Sequence, residues 1–214
     1  VTAGILFDLD GTLADTAPDL GAALNTLLQR YSRQPLPLDQ IRPWVSQGAR
    51  GLLAAGFAIT PGDPFFDELR EEFLQLYQQG LANQTALFDS IPELLDALDQ
   101  KALPWGIVTN KLSRYTEPVV AALGLAHRAC CVVSGDTFAR PKPWPDPLLG
   151  AAEQMKLAPS SMLYVGDDER DMQAAAAAGM PGMVAGYGYL GGSDPSTWTA
   201  QAILNHPLEL LKHL

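Results

Sequence analysis

Ile5-Leu6-Phe7-Asp8-Leu9-Asp10-Gly11-Thr12 sets a short apolar run against two acids, a glycine and a threonine. The run stops at a glycine-containing turn and reads as a buried strand. Asp8 and Asp10 stand two apart, and in an extended or sharply turning segment such residues project to the same side. Two carboxylates facing one site repel each other, and a divalent cation or a shared proton relieves the repulsion. Gly11 permits a tight turn, and Thr12 offers a hydroxyl and a backbone N–H to a phosphoryl oxygen. Calcium loops use similar letters, but the third oxygen ligand and the glutamate that closes such a loop are absent, and a strand precedes where a helix should be. The string Asp-x-Asp-Gly-Thr arises by chance in roughly one chain in several hundred.

Outward from this segment the rhythm changes twice. Leu20, Leu24, Leu27, Leu28 and Tyr31 fall at helical spacing after Pro18, which suits a first turn, and Pro35 and Pro37 end the pattern. Helical patterns follow over 41–57 and at Phe65, Leu69, Phe73, Leu76 and Tyr77. Beyond Phe88, helix and strand alternate. A helix over 92–101 leads to a strand at 105–108, one over 115–123 to a strand at 130–133, one over 147–156 to a strand at 162–165, and one over 171–178 to a strand at 182–185. Apolar strands alternating with helices imply a parallel sheet covered on both faces. The expected fold is therefore α/β, a Rossmann-like parallel sheet built from 1–14 and 84–214. A helical cap, 15–83, is inserted after the first strand.

In parallel sheets ligands bind beyond the carboxyl ends of the strands. Four expected positions there carry suitable polar residues: Asp8 with Asp10, Thr109 with Asn110, Lys142, and Asp167 with Asp171. Gly166-Asp167-Asp168-Glu169-Arg170-Asp171 puts acids where a helix begins, which the helix dipole favours by itself. That accounts for Asp168 and Glu169, and in part for Asp171, but less directly for Asp167, which ends an apolar strand. Magnesium takes octahedral oxygen ligands and keeps some of its waters, so carboxylates from two strand ends suit it. Thr109 or Asn110 reads either as a helix N-cap or as a phosphoryl ligand. Lys142 lies in Arg140-Pro141-Lys142-Pro143-Trp144-Pro145, where prolines stiffen the loop. A lysine so fixed suits neutralisation of a phosphate, or of the charge that develops in transfer.

Together these segments resemble the haloacid dehalogenase superfamily of phosphatases. Asp8-Leu9-Asp10-Gly11-Thr12 matches its first motif, Thr109-Asn110 its second, Lys142-Pro143 its third, and the stretch from Gly166 to Asp171 its fourth. The motifs stand in the family's order, and the helical insertion is similar to that family's cap. The resemblance implies Asp8 as nucleophile, Asp10 as general acid and base, and Thr109, Asn110 and Lys142 as phosphate binders. It also implies Mg²⁺ held by Asp8, Asp167 and the Asp10 backbone carbonyl, with Asp171 acting through a water or by holding Lys142. An acid at the Asp10 position points to phosphate esters, since dehalogenases and phosphonate hydrolases of the family usually lack it. The chain looks like bacterial phosphoglycolate phosphatases. The segments 45–50, 105–111 and 186–189 also resemble a branch that removes the 6-phosphate of N-acetylmuramic acid. Arg50, in a glycine-containing cap loop, is a candidate for a substrate carboxylate, which both substrates possess. A sugar-phosphate mutase on the same core is the non-hydrolytic alternative.

Composition narrows the partners. Lys and Arg number 14 against 24 Asp and Glu, a formal charge of −10, so nucleic acid or an anionic membrane would bind against the overall field. The expected partner is a small phosphorylated substrate, with the chain a monomer or homodimer. Cys130 and Cys131 are adjacent in an apolar run and read as two small buried thiols without a disulfide. No apolar stretch approaches a membrane span, and no basic segment followed by an apolar run opens the sequence, so the reading is a cytoplasmic enzyme.

Overall fold

In a computed structural model that describes residues 2–214, strand β1 (Gly4–Phe7) is buried along its whole length. It is followed in chain order by β2 (Ala14–Asp15), α1 (Ala17–Arg30), α2 (Leu38–Ile41), a 3₁₀ segment (Arg42–Gln47), α3 (Gly48–Phe57) and α4 (Phe66–Gln79). The chain continues through β3 (Ala86–Leu87), α5 (Ile91–Gln100), β4 (Trp105–Val108), α6 (Ser113–Ala122), β5 (Val132–Val133) and α7 (Asp146–Met155). It ends with β6 (Met162–Gly166), α8 (Glu169–Ala177), β7 (Gly182–Ala185), β8 (Ala202–Leu204) and a last 3₁₀ segment, Pro207–His213.

Six strands form one sheet in the order β5-β4-β1-β6-β7-β8, and every neighbouring pair is parallel. Side chains of β1 alternate between its faces. Ile5 and Phe7 join Trp105, Ile107 and Val165 in a core under α5 and α6, while Leu6 joins Val108, Tyr164 and Val184 under α7 and α8. The alanines of α8, Ala174 and Ala175, are buried in that second core, where a small-residue face lets the helix lie close to the sheet. A third core gathers Leu24, Leu27, Leu28, Leu52, Leu53, Phe57, Leu69 and Phe73 from α1, α3 and α4. Tyr115 and Tyr189, from the α/β part, complete it.

Several local expectations change. The pattern over 41–57 is not one helix. Pro43 lacks an N–H and Gly48 sits at φ +61°, so the chain runs as a 3₁₀ segment before α3. Asp15 pairs with Ala86 in a two-residue antiparallel ladder, β2–β3, at the points where the helical segment leaves and rejoins the rest of the chain. The strand expected at 130–133 is only Val132–Val133. Cys131 is buried but Cys130 is exposed, which corrects the reading of two buried thiols; neither is in a disulfide. Edge strand β8 has no counterpart in the sequence reading. Three residues are too few to show a period. Among the described residues no helix is long and apolar enough to cross a membrane.

Candidate active site

Register brings the site residues level. Phe7 is paired with Ile107 of β4 and with Val165 of β6. The ladder runs one residue further through Asp8 N–H to Val165 O (2.9 Å) and Thr109 N–H to Val133 O (2.9 Å). Asp8, Thr109 and Asp167 thus emerge together at the carboxyl edge, where a parallel sheet places its ligands. Two glycines make room for the acids. A Cβ on Gly11, at φ +85°, would lie 2.1 Å from Asp167 Oδ2, and one on Gly166 would lie 2.3 Å from Asp171 Oδ2.

Asp8, Asp167 and Asp171 each offer a carboxylate oxygen within 4.8 Å of the others, and all three are buried. Lys142 Nζ lies 3.0 Å from Asp8 Oδ1 and 2.7 Å from Asp171 Oδ1. It also donates to Tyr164 Oη (2.7 Å) and Val108 O (2.9 Å). Burial pushes the Asp8 carboxyl up to about 7, with Lys142 opposing and Asp171 and Asp10 adding to the rise. Burial, with Asp8 and Asp171 beside it, holds Asp167 well above the usual carboxylate range. Against burial, Asp171 and Asp8 raise Lys142, so it stays an ammonium. All three acids ionised against one ammonium would leave two negative charges uncompensated, a repulsion that adds to burial in raising Asp8 and Asp167. A divalent ion on oxygen ligands balances that sum and fits the donor set.

Asp10 is placed differently. Its Oδ1 accepts from Lys111 Nζ (2.6 Å) and from Thr16 Oγ1 (2.5 Å). Its carboxylate is not a member of the three-acid cluster. Against burial, the Asp10 charge raises Lys111 above its ordinary value. Thr16 stands at the N-cap of α1 yet spends its hydroxyl on Asp10, and Tyr189 Oη takes over the capping by accepting from Thr16 N–H (2.8 Å) and Ala17 N–H (3.0 Å). Thr109 is 2% exposed, and its hydroxyl accepts from Lys111 N–H (3.2 Å). The Asn110 side chain clamps the Lys142 backbone from both sides, at 2.8 and 2.9 Å, so it fixes the lysine loop. Thr12 does not turn its hydroxyl to an incoming ligand; it donates to Asp167 Oδ1 at 3.0 Å. Asp171 closes a capping box with Asp168 while its other oxygen holds Lys142.

Above Asp8 lies a cavity of about 400 Å³. Thr109, Asn110 and Lys111 form part of its floor, and Arg50, Phe73 and Tyr77 part of its helical wall. Contacts across it are direct. Ser46 Oγ donates to Asp167 Oδ2 (2.9 Å), and Arg170 Nη2, paired with Asp168, donates to Ser46 O (2.6 Å). Lys111, Ser46, Tyr164 and Arg170 were not among the expected site residues. Lys111 directly follows Thr109-Asn110, a signal that was available. Ser46 lay within the 45–50 resemblance, but its contact with Asp167 was not legible because the two are 121 positions apart.

A family model described as haloacid dehalogenase-like hydrolase matches residues 5–185. An N-acetylmuramic acid 6-phosphate phosphatase of Pseudomonas aeruginosa is 41% identical over 208 residues, covering 97% of this chain and 92% of the relative. A phosphoglycolate phosphatase of Xanthomonas campestris pv. campestris is 43% identical over 207 residues, covering 96% and 93%. Among solved structures, a predicted phosphoglycolate phosphatase from Haemophilus somnus superposes with a TM-score of 0.86 at 26% identity, covering 99% of this chain and 97% of that one.

Proposed function

The chain belongs to the haloacid dehalogenase-like hydrolases, and from that premise we propose that it hydrolyses the phosphate monoester of a small organic acid through a phosphorylated Asp8. It is a phosphoric monoester hydrolase. The observation that carries the mechanism is Asp8 at the carboxyl end of the central strand, with Lys142 at 3.0 Å and Asp10 two residues on. Helices α1–α4 are read as a cap on the α/β core, the cavity lying between them.

Asp8 attacks phosphorus in line, and the phosphorus–oxygen bond to the alcohol breaks. The departing oxygen takes its electron pair and a proton from Asp10. Water then attacks the aspartyl phosphate and yields its proton to Asp10, and the phosphorus–oxygen bond to Asp8 breaks to restore the carboxylate. Thr109 and Lys142 hold phosphoryl oxygens, Asn110 keeps the Lys142 loop in place, and Lys111 with Thr16 keeps Asp10 aimed. Positioning and charge neutralisation supply most of the acceleration in such transfers. Mg²⁺ is the proposed cation, held by Asp8, Asp167 and the Asp10 carbonyl with Asp171 beside them; it would neutralise charge on the phosphoryl group. A net charge of −10 supports a small substrate over nucleic acid or an anionic membrane.

2-Phosphoglycolate is the first candidate substrate. N-Acetylmuramic acid 6-phosphate is the second, favoured by a cavity of about 400 Å³ whose wall includes Phe73, Leu74, Tyr77 and Tyr115, room and apolar surface for a sugar ring. Phosphate release with Mg²⁺ from both, and from common sugar phosphates, ranks them. Phosphoryl transfer to a second sugar without free phosphate would mean a mutase. Asp8→Asn should abolish phosphate release while circular dichroism and the unfolding midpoint show an intact fold. Normal turnover by that variant would sink the mechanism.

A further inference from the structure

Four cations line the cavity over Asp8: Arg50, Arg70, Lys111 and Arg170. Lys111 is neutralised by Asp10 and Arg170 by Asp168. Among the described residues Arg50 and Arg70 have no carboxylate within 4.0 Å. For Arg70 this is unexpected from its sequence neighbours. It stands on α4 beside Asp67, Glu68, Glu71 and Glu72, and Asp67, three positions earlier, is placed for a helical ion pair that does not form. Arg70 instead shares a helical face with Phe73, Leu74 and Tyr77, at spacings of three, four and seven, and all four line the cavity. Arg70 is half-buried as a residue, and a charge set on an otherwise apolar cavity-lining face is best met by an anion.

We infer that Arg70 is a specificity-determining residue which, together with Arg50, receives a carboxylate on the alcohol portion of the substrate. On the phosphatase reading above, the phosphate occupies the Asp8 end, so the rest of the ester reaches the helical wall where the two unpaired guanidinium groups lie. A planar guanidinium binds a carboxylate through two parallel hydrogen bonds, which a hydroxyl in the same place cannot match. The site would therefore select phosphate esters of hydroxy acids over the corresponding neutral alcohols.

Matched substrates test this. N-Acetylmuramic acid 6-phosphate differs from N-acetylglucosamine 6-phosphate by the lactyl ether that carries its carboxylate, and 2-phosphoglycolate differs from 2-hydroxyethyl phosphate by carboxylate against alcohol. The ratio of kcat/KM within a pair should favour the acid in the unmodified enzyme for at least one pair. In Arg70→Gln that ratio should fall about 10- to 100-fold, as expected for loss of a charge-assisted contact. Arg70→Lys, which keeps charge without the fork, should recover part of it. Arg128→Gln, which removes a charge that does not line the cavity, should leave the ratio unchanged. A ratio near one in the unmodified enzyme, or an undiminished ratio in Arg70→Gln, overturns the assignment. Phosphate release from p-nitrophenyl phosphate in the same experiment would keep the phosphatase reading standing when the Arg70 assignment falls. No release from any of these substrates would overturn both.

Discussion

Lys142 has almost no contact with solvent, yet its ammonium meets four oxygens, from Asp8, Asp171, Tyr164 and Val108. It is the one cation within 4.0 Å of the three-acid cluster among the described residues. Removing it leaves buried carboxylates without their partner, the costly way to break a buried pair. Lys142→Met should therefore lower the unfolding free energy by about 3–5 kcal/mol, read from the urea midpoint at constant slope. Arg128→Met, which breaks a more exposed pairing with Asp96 and Asp99, should cost about 0–1 kcal/mol. At this scale the sequence showed which residues are special. Asp8, Asp10, Lys142 and Asp167 each follow an apolar run or sit between prolines, and those are local signals. What Asn110 does was not legible, since its amide faces the Lys142 backbone 32 positions away.

Among elements, the junction of β6 and α8 gathers the most acids in the shortest span. Asp167 follows the strand, Asp168 caps the helix through Arg170 N–H at 2.9 Å, and Asp171 closes the box from the first turn. The dipole reading of these acids does not exhaust Asp171, which gives one oxygen to the helix start and the other to Lys142. Close approach depends on Gly166. Gly166→Ala would set a methyl 2.3 Å from Asp171 Oδ2, pushing the carboxylate off Lys142. We expect about 1–3 kcal/mol of lost stability together with a larger fall in kcat than in substrate affinity, measured by denaturation and steady-state kinetics. Full stability and full turnover would show that the junction tolerates the methyl. Element type followed from periodicity for β1, β4, β6, β7 and the long helices. The ladder of β2 with β3, and β8, did not follow, because pairs of two or three residues are made by their partners and not by their own pattern.

The whole molecule is organised around a charge imbalance. Its surface is acidic, and its centre holds three buried carboxylates against one ammonium. Binding of a divalent cation to the folded state alone should stabilise it by about 2.7 kcal/mol at a hundredfold excess over Kd, raising Tm by roughly 5–10 °C. A chelator should reverse the rise and abolish phosphate release. Asp167→Asn should lose the metal-dependent rise in Tm as seen by scanning calorimetry. An unchanged rise in that variant would place the ion elsewhere. The helical part touches this centre through Ser46 and Arg170, so the cavity wall and the acid cluster form one connected structure.

By itself the sequence determined the α/β class, the run of helices that follows the first strand, and the order of the acids and the lysine along the strand ends. Burial on both faces demands continuous apolar strands, and those are visible one segment at a time. Only the tertiary structure decided which carboxylates share a site, that Lys111 belongs to Asp10, that Ser46 reaches Asp167, and that Arg70 faces the cavity without a partner. Those facts depend on chain separations of up to 163 positions, as from Asp8 to Asp171. No local pattern encodes such distances, since strand register and helix packing alone bring the groups together.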